Sequence, residues 1–330
     1  MFERVLVPLD GSVDAERAIP LATRLARATG GSIIFVCVVL PATELGKYAK
    51  SPSALWELQA VETHRAEAAS YLTRVMLNYT ADLVGINTEQ EVVTGLPAPT
   101  IFSAARLQHV DLIVMCSHRE SGLQRWVFGS VAQEAIRHSP VPVLIFNEYA
   151  AGLPLPRAAH PLRVLVALDG SPLAEAALEP AAQLVSLLSA PAQGAMHLLR
   201  VVDLPPSEGK TRSQAHIDAL MREKARQEAE SYLKTVADRL HEGTALALKV
   251  TVTTSVVVSA DVVGTVIKQA EQPEDAEQVG GCDLIALASH GYGGLQRLLM
   301  GSVPEGIFGS TQLPLLIVRP PETGTESGSG

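Results

Sequence analysis

The residues best suited to chemistry in this sequence stand where apolar runs end. Asp169 follows the apolar run Val164 to Leu168, and Gly170-Ser171 then leads into a helical pattern. A carboxylate at the tip of a buried strand can accept hydrogen bonds from the base or sugar of a nucleotide. An Asp-Gly-Ser turn can equally serve only to cap the next helix, because Asp and Ser accept hydrogen bonds from its first N–H groups. From these residues alone, both interpretations stay open.

A glycine-rich segment follows a second apolar run, Leu284 to Ala288. Gly291, Gly293 and Gly294 let the backbone approach an anion, since no Cβ stands in the way. Gly301-Ser302 then begins another helical pattern, and the N-terminus of a helix carries positive partial charge that favours phosphate. Two such backbone sites facing one crevice would suit a polyphosphate. The alternative interpretation is a glycine-rich surface turn.

The chain carries an internal repeat. VLVPLDGSVDAERAI, from Val5 to Ile19, returns as VLVALDGSPLAEAAL from Val164 to Leu178, and Asp111 to Val131 returns as Asp283 to Val303. Two homologous domains are the direct inference. Prolines interrupt the segment between the copies, and the C-terminal segment has nothing to bury. The predicted first domain, linker, second domain and disordered tail are residues 1–147, 148–161, 162–320 and 321–330.

The elements that must position these residues alternate along each copy. Short, uninterrupted β-branched runs such as Ile33 to Leu40 are typical of strands covered on both faces, as in a parallel sheet. Helical patterns such as Val13 to Ala28 and Arg212 to His241 lie between them, which predicts a doubly wound α/β fold. The last strands, Val141 to Phe146 and Leu313 to Val318, are apolar edges that need covering, so we expect the two copies to pair through them.

Composition excludes several classes of function. The net charge is −9 and the basic residues are dispersed, so we expect no nucleic-acid partner. The longest apolar run near the N-terminus, Ser32 to Leu40, is too short for a membrane span, which predicts a cytoplasmic protein without a membrane partner. Cys37, Cys116 and Cys282 form no C-x-x-C pair and are expected to be buried thiols. Ser289-His290 lacks a third orienting group, so we predict no catalytic residues. No C-x-x-C, H-x-x-x-H or spaced carboxylate cluster is present in the sequence, so we predict no metal site.

The two motifs together carry a resemblance to a known family. With DGS after the first strand and S-H-G-x-G-G-L-x-R-x-x-x-G-S-V after the fourth, the chain resembles the universal stress protein family in tandem form. The resemblance covers Phe2 to Pro320 apart from the linker. It implies two Rossmann-like domains, each with a mainly parallel five-stranded sheet and helices on both faces. In the nucleotide-binding branch of that family, ATP is held in the crevice at the motif G-x2-G-x9-G-[ST].

The second copy follows this motif at three of its four positions, as Ala288-x2-Gly291-x9-Gly301-Ser302. The resemblance implies that Asp169 and Val201 contact adenine or ribose. It also implies that the two glycines, Ser302 and Val303 hold the phosphates of ATP, with or without Mg. The expected cofactor-binding residues are Ala167, Leu168, Asp169, Val201, Ala288, Gly291, Gly301, Ser302 and Val303.

The first copy departs from the motif, because it reads Cys116-x2-Arg119-x9-Gly129-Ser130 and keeps only the last pair. Arg119 places a Cβ and a long side chain where the family has bare backbone. A guanidinium can itself bind phosphate, but one mobile side chain does not replace several convergent N–H groups. We therefore expect weak or no binding here. The residues available to such a site are Asp10, Val38, Gly129 and Ser130.

Three functions are compatible with these features. The first is an ATP-binding stress or signalling module, in which nucleotide mainly in the second domain tunes binding to an unidentified protein partner. The second is a nucleotide-independent binder of an apolar ligand or a protein, which Arg119 favours. The third is an enzyme that cleaves the α-β phosphate bond of ATP, and it ranks last because no general base is placed near the glycines. We expect the first, in an intrachain pseudo-dimer that could also form a homodimer.

Overall fold

The fold is given by a computed structural model that describes residues 1–41, 44, 54–117, 129–147, 162–204, 212–271, 281–289 and 302–320. The predicted linker and tail lie outside these ranges. So do the sequence positions of Gly291, Gly301 and Arg119. The α/β fold class predicted from the sequence is confirmed by the described residues.

Ten strands of the described chain form one sheet. The first half of the molecule, defined here as the part that contains the first five strands, has β1 Arg4–Leu9, β2 Ser32–Val39, β3 Asn87–Thr94, β4 Leu112–Ser117 and β5 Val143–Asn147. The second half has β6 Arg163–Ala167, β7 Gly194–Val202, β8 Val250–Val258, β9 Leu284–Ala288 and β10 Leu315–Val318. The predicted strands therefore exist, with ends that shift by one or two residues.

Helices cover both faces of this sheet. The helices of the first half are α1 Val13–Glu16, α2 Ala18–Thr29, α3 Ala54–Asn78, α4 Thr80–Leu83, α5 Pro97–Leu107 and α6 Ser130–His138. Those of the second are α7 Leu178–Ser189, α8 Arg212–Glu242, α9 Thr244–Leu248, α10 Val262–Glu271 and α11 Ser302–Ser310, with a 3-10 helix at Ala174–Ala177. One face packs under α2, α3, α7 and α8, and the other under α5, α6, α10 and α11.

The helix predicted from Val13 to Ala28 is divided, which corrects the sequence-based boundary. α1 ends at Glu16 and α2 begins at Ala18, so that Pro20 falls in the first turn of α2. Proline is tolerated there because the first N–H groups of a helix have no intrahelical acceptor, whereas inside a continuous helix it would remove a hydrogen bond. The second half repeats the break, with a 3-10 helix before α7 and Pro180 in the first turn of α7.

Strand order is the same in both halves, 3-2-1-4-5 in the first and its counterpart in the second. Within each half all neighbouring strands run parallel. The order reverses next to β1 in the first half and next to β6 in the second. In open parallel sheets, a crevice forms beyond the carboxyl ends of the strands at this reversal. The fold therefore has one such strand-order reversal in each half.

The two halves meet through their last strands, as the sequence predicts. β5 and β10 pair antiparallel, with Leu144 opposite Leu316 and Val143 opposite Ile317. Leu144 and Leu316 are completely buried. We call this pair of strands the seam. It removes two apolar edges and makes one continuous sheet.

Helices on both faces reinforce the seam. On one face α2 packs against α7, and the Arg24 guanidinium donates a hydrogen bond to the Leu188 carbonyl oxygen at 3.4 Å. On the other face α6 packs against α11, and the Arg137 guanidinium pairs with the Glu305 carboxylate. The ion pair is partly exposed, so its net contribution is small. Buried aliphatic side chains at the seam must supply most of the stabilisation.

Candidate functional site

The Asp-Gly-Ser turns have the same geometry in both halves. Asp10 Oδ1 accepts a hydrogen bond from the Ser12 N–H at 2.9 Å, and Ser12 Oγ accepts one from the Ala15 N–H at 3.1 Å. Asp169 and Ser171 repeat this arrangement at 2.8 and 3.2 Å in the second half. The serine therefore caps the helix while one aspartate oxygen shapes the turn. Helix capping and contact with a nucleotide both remain compatible with this geometry, because each aspartate is also exposed at the end of its strand.

Half-buried apolar side chains lie beside Asp169 at the carboxyl ends of the strands. Val201 of β7 is the register partner of Val257 of β8, and both pack on the core together with Ala167 of β6. We call the full set the apolar platform: Ala167, Val201, Val257, Val262 and Val303. Partly exposed aliphatic side chains at a crevice floor suit the flat face of a base, since they can be covered without burying a polar atom.

The first half has a smaller counterpart of this platform. Val38 of β2 is the register partner of Val93 of β3, and both are half-buried against the same face of the core, as is Val131 of α6. Asp10 lies at the end of β1, so the geometry of strand ends and turn is repeated. The strand ends and these valines therefore do not account for the expected difference in nucleotide binding between the halves.

The end of β9 leads toward the glycine-rich segment. Ala288 is buried and pairs in register with Val318 of β10, and the Ser289 N–H donates to the Val318 carbonyl oxygen at 2.8 Å. Leu168, at the end of β6, is also buried and donates its N–H to the Leu199 carbonyl oxygen at 2.9 Å. Both residues are thus held by the sheet, with their side chains buried.

Gly291 and Gly301 lie outside the described residues, but the elements on each side of them are described. β9 ends at Ala288, and α11 starts at Ser302 with Val303 on the apolar platform. The predicted cradle segment therefore joins a strand end to a helix N-terminus. This placement agrees with the sequence-based expectation and leaves the conformation of the two glycines a prediction.

The corresponding helix start in the first half is described in full. Gly129 precedes α6 with an extended backbone, and its carbonyl oxygen accepts the Ala132 N–H at 3.0 Å. Ser130 is exposed at the first position of the helix. Residues 118–128 lie outside the described ranges, so the position of Arg119 relative to this helix stays a prediction.

One feature of the second half was missed by sequence reasoning. The Arg200 guanidinium lies over the Asp-Gly-Ser turn, where a Cβ on Gly170 would fall 2.7 Å from Arg200 Cζ. It also lies 5.2 Å from the ring centroid of Tyr232 on α8. The Tyr232 hydroxyl donates to Glu175 Oε1 at 3.0 Å, which links α8 to the 3-10 helix after the turn. Burial, followed by this hydrogen bond, raises the pKa of Tyr232 above its ordinary value.

The first half has a thiol at the same place. Register equates Cys37 with Arg200, because Val7 pairs with Phe35 just as its repeat counterpart Val166 pairs with Leu198. Burial, then the nearby Asp10, raises the pKa of Cys37, so the thiol stays protonated at neutral pH. The second half therefore places a positive charge beside its turn where the first places a neutral group. Aligning the two copies at β2 and β7 would have found this difference.

The two turn glycines give a matched test of the Arg200 contact. Gly11 and Gly170 have φ of +91° and +88°, so alanine at either position is strained, by roughly 1–2 kcal/mol. A Cβ on Gly11 meets nothing within 4 Å, whereas one on Gly170 meets the guanidinium. We expect Gly170→Ala to lower the free energy of unfolding by about 1 kcal/mol more than Gly11→Ala, because the cation–π contact is also lost. Urea denaturation of both variants measures this; equal losses would show that Arg200 does not hold the turn.

The described part of the chain also bears on the expectations for cysteines, metal sites and membrane spans. Cys37, Cys116 and Cys282 are buried thiols that form no disulfide, as predicted, and burial raises the pKa of Cys282 to about 12. Across the described ranges, no group of three or more His, Cys, Asp or Glu side chains could hold a metal ion. Within the same ranges, none of the helices combines the length and apolar character that crossing a membrane requires.

Comparison with known proteins gives a consistent result for both halves. The sequence profile of the Universal stress protein family matches residues 1–147 and 162–319. A universal stress protein from Mycolicibacterium smegmatis is 23% identical over 319 residues, which cover 96% of this chain and 97% of that protein. Another from Mycobacterium tuberculosis is 27% identical over 239 residues, covering 71% of this chain and 70% of the relative.

A solved structure shows the same fold over nearly the whole chain. It is a universal stress protein from Archaeoglobus fulgidus, with a TM-score of 0.65 and 20% sequence identity. The match covers 97% of this chain and 99% of that one. At this identity the likeness establishes the fold.

Proposed function

Because the chain belongs to the universal stress protein family, we propose that it is an ATP-binding member in which nucleotide occupancy regulates binding to a protein partner. ATP binds mainly in the second half. The observation that carries this proposal is the position of Asp169, exposed at the end of β6 beside the half-buried Ala167 and Val201 of the apolar platform. A hydrogen-bond acceptor next to an apolar surface at a strand-order reversal is what a nucleoside requires.

Each part of ATP has a proposed place. Adenine covers the apolar platform, and the Asp169 carboxylate accepts hydrogen bonds from the ribose hydroxyls or the base. The phosphates are bound by the backbone N–H groups of Gly301, Ser302 and Val303 at the start of α11, and by that of Gly291 in the segment before it. Mg²⁺, when present, is carried by the phosphate oxygens, because this ion keeps most of its water and binds few protein ligands. The Arg200 guanidinium holds the turn that positions the Asp169 carboxylate.

The proposed site binds ATP but has no group that would catalyse its cleavage. Backbone N–H groups stabilise phosphate charge but do not transfer protons, so the proposed cradle contains no general base. We therefore propose that any ATP turnover is slow and is not the function. Steady-state release of phosphate or pyrophosphate at several turnovers per second, lost in a cradle variant, would favour the enzyme instead; even that rate is only near the low end for typical enzymes.

The proposal is tested by identifying what the protein carries. The purified chain is denatured, and the small molecule that leaves it is identified by mass spectrometry. We expect an adenine nucleotide, with a yield that falls in an Asp169→Ala variant and is retained in the matched Asp10→Ala variant. An apolar molecule whose yield is the same in both variants would support the nucleotide-independent binder and contradict an ATP site at Asp169.

A further inference from the structure

The two outer edges of the sheet differ in charge. The ten-stranded order begins with β3 and ends with β8, and each has one neighbouring strand among the described residues. Register gives the correspondence between them, since Ile33 pairs with Thr88 and its counterpart Met196 pairs with Val252. Glu89 and Glu91 of β3 thus correspond to Thr253 and Ser255 of β8. The first half has two carboxylates where the second half has two hydroxyls.

The charges on β3 have the character of edge protection. The outer strand of a sheet has unpaired backbone N–H and C=O groups, and charged side chains on that strand discourage pairing with another chain. Glu89 forms an ion pair with Arg4 at 3.0 Å, with both side chains partly exposed. β3 is therefore a protected edge.

β8 carries no such protection. Its nine residues, VTVTTSVVV, contain no charged residue, no proline and no glycine. Thr251, Thr253 and Thr254 are exposed. Valine and threonine are the residue types that favour extended structure most. The composition and exposure of β8 therefore favour pairing with a second strand.

Neighbouring elements hold β8 extended, and among the described residues no strand pairs with its outer edge. Val252 and Val256 pack on the core, on the face that α8 covers. On the other face, the His197 ring nitrogens lie 2.9 Å from Thr253 Oγ1 and 2.8 Å from Ser255 Oγ. The strand is therefore held by α8 on one face and by His197 of β7 on the other, so that pairing would cost little further ordering.

We propose that β8 is a homodimer interface, in which it pairs antiparallel with β8 of a second copy about a twofold axis at Thr254. Such an interface uses the same surface on both copies. The strand is self-complementary in this register: Val252 lies opposite Val256, and Thr253 lies opposite Ser255. Cross-strand pairs of β-branched and hydroxyl side chains are favourable.

The same operation on β3 is unfavourable. An axis at Gln90, which corresponds to Thr254, would place Glu89 directly opposite Glu91 in both symmetry-related positions. Like charges at opposite positions destabilise a strand pair. A second copy of the chain is thus favoured at β8 and opposed at β3. A charged peptide would find no complementary charge on β8, so the copy is the better occupant.

Cysteine cross-linking at the proposed axis tests this interface. Residues directly opposite in an antiparallel pair have Cα atoms about 4.5–5.5 Å apart, within the range that a disulfide spans. We expect Thr254→Cys to form a covalent dimer under mild oxidation, and the matched Gln90→Cys variant to remain a monomer. The three native cysteines are buried and should not contribute. Equal cross-linking of the two variants, or none in Thr254→Cys, overturns the proposal.

Sedimentation velocity of the whole chain tests the role of charge. We expect the unmodified protein to form a concentration-dependent dimer. Changing Thr253→Glu and Ser255→Glu together, which copies the β3 edge, should weaken the dimer at least tenfold. Ile217→Glu, an added charge at an exposed site on α8, should leave it unchanged. A dimer that survives the double change, or a chain that stays monomeric at about 100 μM, contradicts this interface. ATP binding plays no part in these measurements, so their failure leaves the proposed function standing.

Discussion

Gly291→Arg is expected to abolish ATP binding. The substitution puts into the second half the residue that the first half carries at the same motif position, Arg119. Its Cβ and side chain would occupy the space through which backbone N–H groups reach a phosphate. A hydrogen bond to a charged group contributes about 1.5–3 kcal/mol, so losing two of them weakens binding by roughly a hundredfold or more.

Isothermal titration calorimetry with ATP measures this loss directly. The reciprocal variant, Arg119→Gly, controls for a general effect of the substitution, because it removes a guanidinium from the first half instead. We expect it to preserve the site of the second half and to strengthen binding in the first. Urea denaturation should show that both variants remain folded. Retained ATP affinity in Gly291→Arg would mean that the glycine is a surface turn and not a phosphate cradle.

Leu316→Ala should cause a large loss of stability at the seam. Leu316 of β10 is completely buried opposite Leu144 of β5, so truncation removes apolar contacts between the halves and leaves a cavity. A buried leucine truncated to alanine costs about 2–5 kcal/mol. The expected decrease in the free energy of unfolding, measured with urea, lies in that range. Leu246→Ala is the control, because Leu246 is 70% exposed and its loss should change stability by no more than about 0.5 kcal/mol.

A double-mutant cycle connects this loss to the seam itself. Because Leu144 and Leu316 are register partners, the combined variant should differ from the sum of the single changes by about 0.5–3 kcal/mol. Exact additivity would show that the two leucines do not interact, and would contradict the pairing of the last strands as the joint between the halves.

The sequence predicts the interior of this fold better than its edges. Strands such as β1 and β5 are continuous apolar runs, because both of their faces are covered. β3 gives no such run: NTEQEVVT mixes polar and apolar residues, since an edge strand is only partly buried. Apolar continuity therefore cannot find it, and only the family resemblance implied a fifth strand. The break before α2 was missed for a different reason, because the helical period continues through it while Pro20 requires a new helix start.

The candidate site could be predicted in part. Asp169 was predicted from the repeat and the family motif, and Val201 from the family resemblance. Both lie at the carboxyl ends of the neighbouring strands β6 and β7, and their contact with nucleotide stays a prediction. Arg200 was missed because its side chain lies on the opposite face of β7 from that of Val201. There its guanidinium contacts the turn at Gly170 and the ring of Tyr232. Such a contact joins residues far apart in sequence, and no local pattern signals it. Val257 was missed because it lies on the edge strand β8.

Two independent differences now separate the halves. At the motif, Gly291 stands where the first half has Arg119, and at the turn Arg200 stands where the first half has Cys37. The first difference concerns backbone access to phosphate, and the second concerns the charge beside the aspartate. Both favour an anionic nucleotide in the second half. Under the proposed function, the second half is the binding half and the first is its structural partner through the seam.

The number of ATP molecules bound per chain tests this account most directly. Calorimetric titration of the unmodified protein, first freed of any bound nucleotide, gives that number without reference to any substitution. The account predicts close to one site per chain, assigned to the second half by its loss in Gly291→Arg. Two equivalent sites, or a single site that survives in Gly291→Arg, would contradict it.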